Sequence, residues 1–78
     1  MAVETLGKYQ LELVPFELSG TGRWVAYLSV RKFDDRLQDF VGIVKEQRIS
    51  GEHGYASAAE AVEQARQAGN ALIMAGKI

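Results

Sequence analysis

Apolar and polar residues alternate from Tyr9 onward, with Tyr9, Leu11 and Leu13 set on one side and Gln10 and Glu12 on the other. A period of two is the signature of a strand with one buried and one wet face. After Leu13 the apolar phase shifts to Val14, Phe16 and Leu18, with Pro15 at the shift. Proline has no N–H for a sheet ladder, so an edge strand with a bulge or bend is expected there. The run from Arg23 to Phe33 is the most strand-like in the chain. It sets Trp24, Ala26, Leu28 and Val30 on one face and Arg23, Val25, Tyr27, Ser29 and Arg31 on the other. Asp34-Asp35-Arg36 is turn material, because short acidic side chains bond their own backbone. A third run spans about Leu37 to Ile49, and two registers fit it. Either Val41 and Ile43 or Phe40 and Val44 face inward, and Gly42 is a candidate bulge.

Beyond the polar stretch Ser50-Gly51-Glu52-His53-Gly54 the period changes. Ser57-Ala58-Ala59-Glu60 fits a capping box. Ala58, Ala61, Val62, Ala65, Gly69, Leu72 and Ile73 then recur at spacings of three and four. They draw one apolar stripe on a helix of about 18 residues, roughly 27 Å long. Glu60, Glu63, Gln64, Arg66, Gln67 and Asn70 fall toward the other side. The small residues permit close approach to a sheet. Gly69 costs about 1 kcal/mol of helix propensity against alanine, and room for Trp24 is the expected compensation. Gly76 is placed to end the helix.

The order strand, strand, strand, helix with short connections predicts an α+β fold. It is a three-stranded antiparallel meander sheet with one C-terminal helix packed on one face (βββα). Residues 1–78 form a single domain, and residues 1–7 are expected to be a frayed lead-in.

Composition narrows the function classes. An apolar fraction of 47% and a charged fraction of 24% are those of a globular chain. No cysteine is present, which removes disulfides and thiolate metal sites. No apolar run approaches the roughly 18 residues that span a bilayer, so no membrane partner is expected. The N-terminus lacks a secretory pattern, and the expected location is cytoplasmic. Nine Lys and Arg against ten Asp and Glu give a net charge of −1, which does not favour a chain held to nucleic acid by overall charge.

Motif chemistry is sparse. Ser19-Gly20-Thr21-Gly22-Arg23-Trp24 resembles part of a phosphate-binding loop. The sixth position of the dinucleotide pattern is Val25, and a strand follows instead of a helix, so the stretch reads as a hairpin turn. His53 is the only histidine and lacks metal-ligand spacing; it reads as a solvated loop residue. Asp34 and Asp35 are assigned to their turn, and Ser57 to its cap. The chain is therefore expected to be no enzyme, with no catalytic, cofactor-binding or metal-binding residues and no cofactor.

The remaining candidate is a surface. Arg23, Val25, Tyr27, Ser29 and Arg31 form the middle of the sheet face opposite the helix, with Glu12 beside them. Lys45 or Arg48 extends the patch, depending on the third strand's register. An uncovered face carrying Val25, Tyr27 and Val14 or Phe16 fits a protein partner or a homodimer, and the third strand's outer edge is a second docking place. The alternative is nucleic acid, with arginines on phosphates and the aromatic stacked on bases.

"SGTGRWVAYLSV" followed by "YASAAEAVEQARQAGNALI" resembles a group of small bacterial proteins whose role is itself unsettled. Shared features are Gly-Arg-Trp opening the second strand, a Tyr-x-Ser-x-x-Glu-Ala helix start, Ala-Arg-x-x-Gly and a Leu-Ile pair. The likeness spans about Tyr9 to Ile73, implies a βββα fold and supplies no activity. HicB-like antitoxins have a similar sheet and helix start, but this chain lacks their glycine- and acid-rich strand region. The three-stranded DNA-binding domains of certain plant proteins and of phage integrase arm-binding modules are similar in layout. They read DNA with the sheet face opposite the helix, which Arg23, Tyr27 and Arg31 echo.

Overall fold

A computed structural model describes residues 2–51, 53–76 and 78. Five elements follow one another: β1 (Ala2–Leu6), β2 (Tyr9–Leu18), β3 (Arg23–Asp34), β4 (Asp39–Ile49) and α1 (Ala58–Met74). The strands form one antiparallel sheet in the order β1-β2-β3-β4, so the fold is α+β with a C-terminal helix. The expected three strands are four. The segment expected to be frayed pairs with β2 from Ala2 opposite Leu13 to Leu6 opposite Tyr9. A two-residue connection closes that hairpin, with Gly7 at φ +60° in its first position. Glu4 explains why alternation did not show this strand. It pairs with Leu11 in a row that faces the helix, where the pattern calls for an apolar residue. Arg66 of α1 answers it, donating from Nε to both carboxylate oxygens at 2.8 Å and from a terminal nitrogen at 2.6 Å, and also meets Glu63.

The core lies between α1 and the middle of the sheet. Leu11, Leu13, Ala26, Leu28 and Val30 are buried against Ala61 and Ala65, with Trp24, Val44, Ile49, Tyr55 and Ile73 packed around them. Each fully buried Leu or Val contributes about 1.5–3 kcal/mol relative to exposure. The helix begins where Ser57, in extended conformation, accepts from the Glu60 N–H at 3.1 Å. It ends at Gly76, whose φ of +68° lets its N–H reach the Ile73 carbonyl.

Gly69 is buried, but Trp24 is not what approaches it. A β-carbon there would stand 3.0 Å from Leu11 Cδ2 and 3.2 Å from Leu28 Cδ1. Both leucines are fully buried and without room to retreat.

Pro15 causes no bulge, because β2 and β3 stay in register from Tyr9–Lys32 to Leu18–Arg23. Pairing with β1 stops at Leu13, so proline stands where β2 has become the sheet's edge. The apparent phase slip is uninterrupted alternation whose apolar residues change face. The irregularity lies in β4 instead, where two register shifts separate the partners of Leu28, Val30 and Arg31. Neither of the two expected inward pairs holds whole, because the shifts fall between their members. Val44 pairs with Val30 and packs on the core, while Phe40 pairs with Phe33 on the opposite face, the rings edge-on at 5.4 Å.

Two predictions follow from this packing. Gly69→Leu is expected to overpack the helix–sheet contact and lower stability by about 2–3 kcal/mol, read as a lower urea midpoint, whereas Gly69→Ala loses less because helix propensity partly offsets the strain. Glu4 supplies a pH dependence. Hydrogen bonds from Arg66 hold its carboxyl below the ordinary value of 4.5, partial burial opposing and the guanidinium charge adding to the lowering. A carboxyl lowered on folding stabilises above its unfolded value and loses that contribution as pH falls through its folded value. Glu4→Gln is therefore expected to lower the urea midpoint slightly at pH 7, with the gap to wild type closing below pH 4.5.

Candidate functional site

The loop of residues 19–22 joins β2 to β3 and satisfies itself. Gly20 and Gly22 take φ of +74° and +68°, and the Thr21 hydroxyl donates to the Leu18 carbonyl at 2.7 Å while accepting from the Arg23 N–H at 3.0 Å. It functions as the turn expected. What it positions is the start of β3, and with it the sheet face turned away from α1.

Along β3 that face carries Arg23, Val25, Tyr27, Ser29 and Arg31, each opposite a β2 residue: Leu18, Phe16, Val14, Glu12 and Gln10. The five share a face but do not share a condition. Arg23 is engaged internally, its Nε donating to the His53 carbonyl at 3.0 Å and a terminal nitrogen to the Gly54 carbonyl at 2.8 Å. This guanidinium clamps the segment before α1 onto the sheet. Beside it, Trp24 and Tyr55 exchange backbone hydrogen bonds of 2.8 and 2.7 Å as a short antiparallel bridge. Gly54, at φ +77°, allows the close approach, since a β-carbon would lie 3.1 Å from the Trp24 carbonyl oxygen.

Val25 was expected to be exposed and is fully buried. On its own face it is flanked by Arg23 and Tyr27 and stands opposite Phe16. Arg31 is exposed yet oriented by its neighbours, with Glu12 at 3.6 Å and Gln10 at 3.5 Å. Tyr27 is half-buried and meets Phe16 edge-on at 6.2 Å, with an interplanar angle of 76°. Phe16 keeps 53% of its surface exposed. The register also selects between the two residues expected to extend the patch. Arg48 stands opposite Tyr27, whereas Lys45 falls within a β4 irregularity. One end of the face, from the β2 edge inward, is therefore apolar and aromatic, built from Val14, Phe16, Val25 and Tyr27, with Glu12, Arg31 and Arg48 beside it.

Elsewhere, His53 lies in the clamped segment and contributes its carbonyl to Arg23. Asp34 caps its own turn, accepting from the N–H groups of Arg36 and Leu37 at 2.8 and 3.2 Å. Among the described residues no group of three or more acidic or imidazole side chains is arranged to hold a metal ion. No helix there is long and apolar enough to cross a membrane.

The clamp generates a prediction. Arg23→Ala should accelerate amide hydrogen exchange at Tyr55 and Trp24, whose N–H groups bond across this junction, and at Gly54, whose N–H bonds to the Ser50 carbonyl within the clamped segment, while leaving the β2–β3 amides around Leu13 and Leu28 protected. Unchanged exchange at Tyr55 would mean that Arg23 holds nothing in place.

No family model matches the chain, and no curated protein or solved structure matches it either.

Proposed function

We propose that this protein is a small, non-enzymatic interaction module that self-associates through the sheet face opposite its helix. The observation that carries the reading is the half-exposed Phe16 on that face, edge-on to Tyr27 where β2 forms the edge of the sheet. Large exposed aromatics in a contiguous apolar patch mark interfaces.

Three features favour a second copy as the occupant. An isologous contact needs a patch able to meet itself, and here an apolar centre is rimmed by both signs of charge, Glu12 against Arg31 and Arg48. The net charge of −1 leaves little repulsion between copies. The area also suffices. The molecule measures 46 × 21 × 17 Å, and strands of up to 12 residues set side by side account for its two longer dimensions. A face of that size can supply the about 800 Å² per partner of a standard interface.

The sheet edges are poorer docking places. The β4 edge is irregular at two points and carries Lys45, Glu46 and Arg48, while β1 has only five residues. Nucleic acid is the weaker reading of the same face, because Arg23 is bound to loop carbonyls and Arg31 faces Glu12.

Sedimentation equilibrium tests the proposal. The apparent mass should rise toward twice the monomer mass between about 10 μM and 0.5 mM, and Phe16→Glu should shift the midpoint at least about tenfold without lowering the urea midpoint. A strict monomer at the highest concentration would overturn the reading. So would a dimer indifferent to Phe16→Glu, or salt-sensitive binding to random duplex DNA in its place.

A further inference from the structure

We propose that the protein carries, at the far end of the sheet, a binding site for a small amphipathic anion: a carboxylate on a short apolar body. A cleft of about 440 Å³ opens there, within the size range of small-molecule sites. It is bounded by Lys32 and Phe33 of β3, the turn residues Asp34, Asp35 and Arg36, Val41 and Ile43 of β4, and Lys8 from the β1–β2 connection. Lys32 stands opposite both Tyr9 and Val41 in the register, which puts it in the row that faces the helix side of the sheet. The cleft is thus on the other side of the sheet from the aromatic patch, and the inference is independent of self-association.

Charge decides the class of ligand. Asp35 is taken by Lys8 at 2.8 Å. Asp34 is committed to the two backbone N–H groups of its turn. Lys32 and Arg36 have no carboxylate within ion-pair distance among the described residues; Lys32 rests over the Tyr9 ring, 5.4 Å from its centre. The cleft lining thus carries three cations, Lys8, Lys32 and Arg36, against two acids, and neither Lys32 nor Arg36 has an ion-pair partner among the described residues. They favour an anionic head group.

The wall decides the rest. Val41 and Ile43 keep 37% and 38% of their surface exposed beside these cations. The β4 irregularity beside Ile43 shifts the register there, so that Val44 turns to the core while Val41 stays in the row of Lys32. An apolar wall beside Lys32 and Arg36 suits a ligand with a charged end and a hydrocarbon or aromatic body, and not a bare inorganic ion.

The test is an amide chemical-shift titration of the whole chain with benzoate, its neutral isostere benzamide and inorganic phosphate. Benzoate should shift the amides of Lys32 to Arg36 and Val41 to Ile43 saturably, with a Kd of about 1 mM or tighter. Benzamide and phosphate should each bind at least about tenfold more weakly. Lys32→Gln combined with Arg36→Gln, both exposed and so neutral for folding, should weaken benzoate binding by a similar factor, while Val41→Ala should weaken benzoate more than phosphate. Absence of saturable shifts at about 10 mM benzoate would overturn the site. Equal binding of benzamide, or indifference to the double variant, would overturn the role of the cations; equal binding of phosphate would overturn that of the wall.

Discussion

At Gly69 the helix lies so close to the sheet that even a β-carbon would press on Leu11 and Leu28, and much of the fold depends on that contact. Ala61, Ala65 and Gly69 follow one another at four-residue spacing, all buried, so one narrow edge of α1 rests on Leu11, Leu13 and Leu28. A helix so close to β2 and β3 covers the centre of the sheet well and its margins poorly. It reaches β4 only slightly. At the opposite margin, β1 is tied to the helix by an ion pair, Arg66 reaching across to Glu4, in addition to the apolar contact of Ala2 with the core. The helix N-terminus needs its own fastening, and Arg23 provides it by gripping the carbonyls of the segment that leads into Ser57.

From this contact follows the division of the sheet into two unlike faces. Along β2 the residues at 9, 11 and 13 serve the core, and those at 14, 16 and 18 serve the other side. Apolar character is thus present on both faces but at different ends. The helix buries one set. The other set lies away from the helix, and there Val25 is buried while Phe16 stays half-exposed. In β4 the register shifts perform a similar reallocation within a single strand. They let Val44 and Ile49 reach the core while Phe40 pairs with Phe33 on the far side.

Legibility in the sequence tracks the range of the interaction. The helix was readable because its signals are local: the Ser57 cap, the small-residue stripe and Gly76 all act within one or two turns. The alternation of β3 and the turn at residues 19–22 were readable for the same reason. β1 was hidden because Glu4 breaks its alternation, and the residue that makes Glu4 tolerable lies 62 positions away. The clamp on Arg23 spans about thirty residues, so an arginine on a strand face read as available for a partner when it is already in use. The β4 register depends on a pairing partner that alternation within β4 does not encode, and the partner of Gly69 was misjudged by choosing the largest side chain over the nearest. The open face as a set of residues was legible; which of its members remain free was not.

The distribution of charged groups sets the two proposed surfaces apart instead of joining them in one extended basic face. On the aromatic side, the arginines of β3 are neutralised or satisfied within the chain, so the surface offered to a partner is Phe16 and Tyr27 with a balanced rim. On the helix side, beyond the reach of α1, the cleft lining has a cationic excess: Lys8, Lys32 and Arg36 stand against Asp34 and Asp35. A chain of 78 residues buries only about 60% of the surface its unfolded form exposes, so it has little core with which to cover either region. Apolar surface left over at the margin of so small a core costs least where another molecule can remove it from water. The two uncovered regions differ in charge and shape and lie on opposite sides of one sheet, so one can be occupied without blocking the other.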